Sequence, residues 1–134
     1  MVEIDALSTQ HSVLSTRMPI VWIIDADQWP RALLRAELIE RGYDAVGFLS
    51  VEDALNASPE RFPDLIVVEM HGLALMQADA SKLFTLEAPI VLLTGAAEAT
   101  EPWIAQLPWA AVLRRPVSIG EIAVAVERIR PVDG

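Results

Sequence analysis

Four stretches read as strands with no polar residue inside them: Val21-Trp22-Ile23-Ile24, Leu65-Ile66-Val67-Val68, Ile90-Val91-Leu92-Leu93 and Ala110 to Leu113. A strand with no apolar/polar alternation is covered on both faces, as in the middle of a parallel sheet. Ala45 to Phe48 completes a set of five predicted strands. Between them the apolar residues recur at helical spacing. Pro30 opens a helix where a missing N–H costs nothing, with Leu33, Leu34, Leu38 and Ile39 as its apolar face and Arg41-Gly42 as its end. Ser50-Val51-Glu52-Asp53 resembles a capping box and starts a short helix to about Ala57. Leu73, Met76, Ala80, Leu83 and Phe84 fall on one helical face. Pro102 and Pro108 bracket a segment that allows only a brief helix. Ser118 to Glu121 is a second capping box, and Ile119, Ile122, Val126 and Ile129 form the face of a last helix closed by Pro131.

Strands alternating with helices imply parallel pairing through crossovers, hence an α/β fold: a doubly wound five-stranded parallel sheet with helices on both faces, flavodoxin-like. The 134 residues read as one domain over 19–131, after an extension (1–18) expected to be loosely ordered and before a short tail (132–134). The extension has no basic start or apolar run, so it does not read as a signal peptide.

Composition removes several function classes. Ten basic against nineteen acidic residues give a net charge of −9, and the basic residues are scattered, which argues against nucleic-acid binding by this chain. No apolar run approaches the ~18 residues of a membrane span. With no cysteine there is no disulfide, thiol chemistry or Cys-based zinc site, and a cytoplasmic setting is expected.

In a parallel sheet the carboxyl ends of the strands share one edge, where ligands bind. That edge is predicted to gather Asp25 and Asp27 from the first strand, Glu69 from the third, Thr94 from the fourth and Arg115 from the fifth. Grouped carboxylates suit a hard cation such as Mg²⁺, and a hydroxyl with a cation suits a phosphoryl group. The plainer explanation is that polar residues appear wherever apolar strands end.

In order and spacing, the chain resembles a receiver domain of two-component response regulators from Pro19 to Ile129. The residues that carry the resemblance are Ile23-Ile24-Asp25-Ala26-Asp27, Gly42-Tyr43-Asp44-Ala45-Val46, Ser50 to Leu55, Pro63-Asp64 through Glu69, Pro89 through Gly95, and Arg115-Pro116-Val117-Ser118. Receivers take a phosphoryl group from a histidine kinase onto an aspartate ending strand three, with Mg²⁺, and the modification repacks a face used for dimerisation or output.

Carried over by position, the chemistry departs from that pattern. The phosphoacceptor falls on Glu69, one methylene longer, and the acidic pair falls on Asp25 and Ala26, so one carboxylate is lost. The family's lysine falls on Arg115 and its aromatic switch residue on Val112, while Thr94 matches. The stretch from Glu69 to Thr94 is shortened. In-line attack tolerates little misplacement, a shift near 1 Å costing about 100-fold. Arginine for lysine at a contact is not conservative. The reading is a degenerate receiver, or pseudo-receiver, that signals through protein–protein contacts without phosphorylation and is not an enzyme. It expects no cofactor, Mg²⁺ binding only if the acidic site (Asp25, Asp27, Glu69) still works, and a fixed charge at Glu69. A phosphorylatable Mg²⁺-dependent receiver and a small flavodoxin-like enzyme or ligand-binding domain are the alternatives. A protein partner or second copy is expected on the segment 97–130, where Trp103 and Trp109 are either interface anchors or core. His71 reads as a solvated loop residue.

Overall fold

In the computed structural model, residues 17–57, 61–70, 77–95 and 101–132 are described. Five strands, β1 (Ile20–Ile24), β2 (Asp44–Phe48), β3 (Leu65–Glu69), β4 (Ile90–Thr94) and β5 (Ala111–Arg114), form one parallel sheet in the order β2-β1-β3-β4-β5. Between and after them, the described helices are α1 (Gln28–Glu40), α2 (Val51–Asn56), α3 (Gln77–Phe84), α4 (Pro102–Ala105) and α5 (Ile119–Ile129). This is the doubly wound α/β architecture expected from the sequence. No described helix is long and apolar enough to cross a membrane.

Side chains of a strand alternate between the two faces, and here each face has its own core. Val21, Ile23, Leu65, Val67, Val91 and Leu93 meet Leu34 and Leu38 of α1 and Ile122, Ala123 and Val126 of α5. Trp22, Ile24, Ile66, Val68, Ile90 and Leu92 meet Val51 and Ala54 of α2, Leu83 of α3 and Ile104 of α4. The strands of the middle are therefore apolar at every position because neither face sees water.

Helix ends follow local chemistry. Ser118 accepts from the Glu121 N–H, and the Glu121 carboxylate accepts in return from the Ser118 N–H, a complete capping box. Ser50 accepts from the Asp53 N–H at 3.1 Å and so caps α2. Gly42, at φ +99°, turns the chain out of α1, where a side chain would be strained and would also approach Val132. The first and last helices are tied together by Arg41, which donates to Glu37 and Glu127 at 2.8 Å each. The buried Tyr43 hydroxyl donates to the Arg130 carbonyl at 2.6 Å.

Some expectations shift. Helix α1 begins at Gln28, two residues before Pro30. Pro30 still lies within the first turn, whose N–H groups have no helical partner, so it costs nothing there. Leu33 and Ile39 do not join the apolar face of α1: they are exposed, at 54% and 45%. Only Leu34 and Leu38 of the four reach the sheet, because the stripe facing it is narrower than the apolar content of the helix. Strand β5 begins at Ala111 and includes Arg114. Leu73 and Met76 lie outside the described residues, as do His71 and residues 1–16.

Candidate functional site

The carboxyl edge of the sheet does collect charged groups, and the alternation of the strands decides which of them meet. Asp25, Glu69 and Arg115 follow the parity of Ile23, Val67 and Leu113, the α1/α5 side. Glu69 lies beside Leu93 in the β3–β4 register, and the Arg115 N–H donates to the Thr94 carbonyl at 2.9 Å. One strand, β4, thus separates the Glu69 and Arg115 backbones, two strand spacings or about 10 Å. The long side chains close that gap: an Arg115 guanidinium nitrogen donates to Glu69 Oε2 in a salt bridge.

The two partners differ in exposure. The Glu69 side chain is 3% exposed and that of Arg115 41%. Glu69 Oε1 is buried and has no hydrogen-bond partner among the described residues. A carboxylate in that position depends on its guanidinium, since removing one member of a buried pair leaves an uncompensated charge.

Asp25 is buried beside this pair. Burial raises its carboxyl above the ordinary value of 3.8, and the nearby Asp27 charge adds to the rise. The Asp27 N–H, which donates to Asp25 Oδ1 at 2.8 Å, and the charges of Arg115 and Arg31 oppose it. A cavity of about 40 Å³ lies between Asp25, Arg115 and the apolar residues of α1 and α5.

The other residues singled out from sequence are placed differently. Asp27 is exposed at the start of α1, and its main chain rather than its carboxylate reaches Asp25. Thr94 has even parity. Its buried hydroxyl donates to the Gly95 carbonyl at 3.1 Å and touches Met70 Sδ at 4.0 Å, rather than Glu69 or Arg115. Val112, beside Leu92 in register, is 42% exposed on the α4 side. Trp103 and Trp109 are half-buried against the core on that same side. Trp109 donates from Nε1 to the Ile104 carbonyl at 2.7 Å and meets Phe84 edge-on at 5.0 Å, with Trp103 at 6.4 Å.

The receiver resemblance implies a divalent cation, for which Asp25 and Glu69 are the buried carboxylates at this edge. No group of three His, Cys, Asp or Glu side chains that could hold a metal is found among the described residues. Of the two buried carboxylates, Glu69 already faces a guanidinium and Asp25 accepts a main-chain N–H. Mg²⁺ sites rest on one or two carboxylates with several waters, and of the two here Glu69 faces a guanidinium.

Arg31 was not legible as a site residue. Its Nη1 donates to the Asp25 carbonyl at 2.7 Å, and its stem lies on Gly47, where an added Cβ would come within 3.1 Å of it. A glycine inside a strand marks a close approach, so Gly47 was the available signal.

No protein-family model matches the chain, and no curated protein matches it by sequence. Solved structures do match. A response regulator receiver domain protein from Clostridium thermocellum is 17% identical with a TM-score of 0.71, covering 84% of this chain and 94% of that one. A CheY-like response regulator receiver domain from Methylobacillus flagellatus gives 18%, 0.71, 85% and 100%. A chemotaxis response regulator of Vibrio cholerae gives 15%, 0.70, 84% and 99%. At these identities the likeness is one of architecture, and the architecture is that of response regulator receiver domains.

Proposed function

We propose that this chain is a degenerate receiver that takes part in signal transduction through protein–protein contacts, without accepting a phosphoryl group and without enzymatic turnover. One observation carries the reading. In the crevice at the carboxyl edge of the sheet, Glu69 is buried and already salt-bridged to Arg115. A receiver-type acceptor has to present an accessible carboxylate oxygen to the phosphoryl donor, and its metal has to neutralise the incoming charge; of the two Glu69 oxygens, Oε2 meets Arg115 and Oε1 is buried. Here the standing guanidinium–carboxylate pair takes both places. Glu69 acts as the fixed charge of the site, Arg115 as its partner, and Asp25 as a buried flank with Asp27 outside it. The site takes no cofactor and no Mg²⁺.

The partner surface in this reading is the 97–130 segment, for a second copy or another protein. Val112 and Val124 are 42% and 40% exposed there. A groove of about 620 Å³ runs along Leu113, Val117, Val124 and Ala125, edged by Arg41 and Arg128. Trp103 and Trp109, half-buried on the α4 side, are the candidate anchors of the same segment. The setting is cytoplasmic.

Trp29, 75% exposed and close after Asp25 and Asp27, reports on metal. Titration with Mg²⁺ is expected to leave its fluorescence unchanged through the millimolar range. A saturable change at sub-millimolar Mg²⁺ would contradict the reading. The variant carrying Ala26→Asp and Glu69→Asp, which rebuilds the acidic site and shortens the paired carboxylate, is expected to gain that response.

A further inference from the structure

Helix α1 is apolar on two sides, and only one of them meets the sheet. Leu34 and Leu38 are buried against the strands. Trp29, Ala32, Leu33, Ala36 and Ile39 are all exposed and belong to neither core. A helix that is apolar all round is normally covered all round. Among the exposed set, Trp29, Ala32, Ala36 and Ile39 follow the alternating three- and four-residue spacing of a seam between two helices. Leu33 and Glu40 run along one flank of that seam, and Gln28 and Arg35 along the other. Arg35 and Glu40 are exposed, and neither forms a salt bridge with a described residue. Arg35 Nε donates to the Ala45 carbonyl at 2.9 Å, which holds the stem and leaves both Nη groups available.

We infer that this face receives a second copy of the chain, with the two α1 helices packed side by side and parallel about a two-fold axis. The charge pattern selects both the occupant and its direction. In a parallel pair, each flank faces the opposite flank of the other helix. Arg35 of each copy then stands against Glu40 of the other, and Gln28 against Leu33, each contact made twice by symmetry. An antiparallel pair sets each flank against its own kind, which brings arginines to arginines and glutamates to glutamates. The sizes match as well. Ala32 and Ala36 let the axes approach to about 8 Å. Trp29 then lies over Ala32 of the other copy and Ile39 over Ala36, so large residues meet small ones along the seam. The groove of about 520 Å³ along Gln28, Ala32, Arg35 and Ile39 takes up Leu33 and Glu40 of the other copy. This face shares no residue with the 97–130 segment, so self-association here leaves that segment to a different protein. A single helix pair is a small interface, below about 1,200 Å² in total, and the dimer is expected to dissociate on dilution.

Sedimentation of the full chain, from low micromolar to several hundred micromolar, tests the pairing, with thermal melts to confirm that each variant is folded. The unmodified chain is expected to be dimeric at the top of that range. Ala36→Glu keeps a good helix former and places two unpaired charges in the seam, so it should weaken the dimer by about tenfold or more. Arg35→Glu and Glu40→Arg should each weaken it about fivefold, because each sets like charges opposite one another twice. The variant carrying both exchanges restores the opposite-charge contacts and should return to within about twofold of the parent. A chain that stays monomeric throughout overturns the inference. A dimer that ignores Ala36→Glu but yields to Val124→Glu also overturns it, because the copies then meet on the 97–130 segment. A double exchange no better than the single ones overturns the parallel pairing.

Discussion

The two faces of the sheet are built to different standards. On one, α1 and α5 span thirteen and eleven residues, are cross-tied by Arg41, and lie on a regular aliphatic layer. On the other, α2 and α4 span six and four residues and the described part of α3 eight, and large rings pack beside them. Trp22 meets Phe48 edge-on at 5.2 Å, and Phe84 meets Trp109 at 5.0 Å. The charged crevice belongs to the first, rigid face: Asp25, Glu69 and Arg115 all follow its parity. The exposed Val112 belongs to the second. A standing ion pair needs fixed backbones two strands apart, and the face with the long helices provides them. The face with short helices offers surface.

Cavity-forming substitutions should separate the faces most strongly. Leu38→Ala on the α1/α5 side is expected to cost about 4 kcal/mol, because long helices cross-tied through Arg41 cannot settle into the space. Ile104→Ala, beneath the four-residue α4, should cost about 2 kcal/mol, since a short helix can move inward. Urea unfolding of both variants measures this. Equal losses would mean that helix length does not set the stiffness of the two sides.

The ion pair comes next in size. Arg115→Met strands the Glu69 carboxylate and should cost about 2 kcal/mol, less than a wholly buried pair because the guanidinium is part-exposed. Pairing it with Glu69→Met should recover stability to within about 1 kcal/mol of the parent. If Arg115→Met alone is silent in denaturant titration, the carboxylate has another partner and the crevice account fails.

The smallest effect is one of pH. Burial raises the Asp25 carboxyl above 3.8, so the folded state at neutral pH carries an ionised group that it disfavours. That cost falls away as pH drops through the raised value towards 3.8, where the unfolded chain protonates too. Asp25→Asn keeps an acceptor for the Asp27 N–H and removes the titration. It should match or exceed the parent in Tm at pH 7, and its advantage should shrink as pH falls towards 4. A constant difference across that range would mean that Asp25 is not desolvated.

Most of the fold was legible because burial on both faces leaves a plain trace: four unbroken apolar runs, at Val21, Leu65, Ile90 and Ala110, mark the parallel strands. The capping box at Ser118 and the glycine at Gly42 were equally plain, since few residues meet those backbone demands. Periodicity misled at Leu33 and Ile39, where apolar residues at helical spacing face outward on α1. The site was legible as a set of residues at strand ends, but its pairing was not. Whether Glu69 meets Arg115 or Thr94 depends on strand order and on the parity of each strand's last residue, which appear only when the sheet is assembled. Arg31 was missed because its role is to cover Gly47 and hold the Asp25 carbonyl, contacts that no local spacing announces.

The central claim is that the Glu69–Arg115 pair has replaced phosphoryl acceptance. Incubation with Mg²⁺ and a small phosphodonor such as acetyl phosphate, followed by intact-mass measurement, tests it directly. A phosphoryl group adds about 80 Da and up to two negative charges. The account predicts that the mass of the chain stays unchanged while Ala26→Asp with Glu69→Asp and Arg115→Lys gains the adduct. An adduct on the unmodified chain, mapped to Glu69 or Asp27, would contradict it.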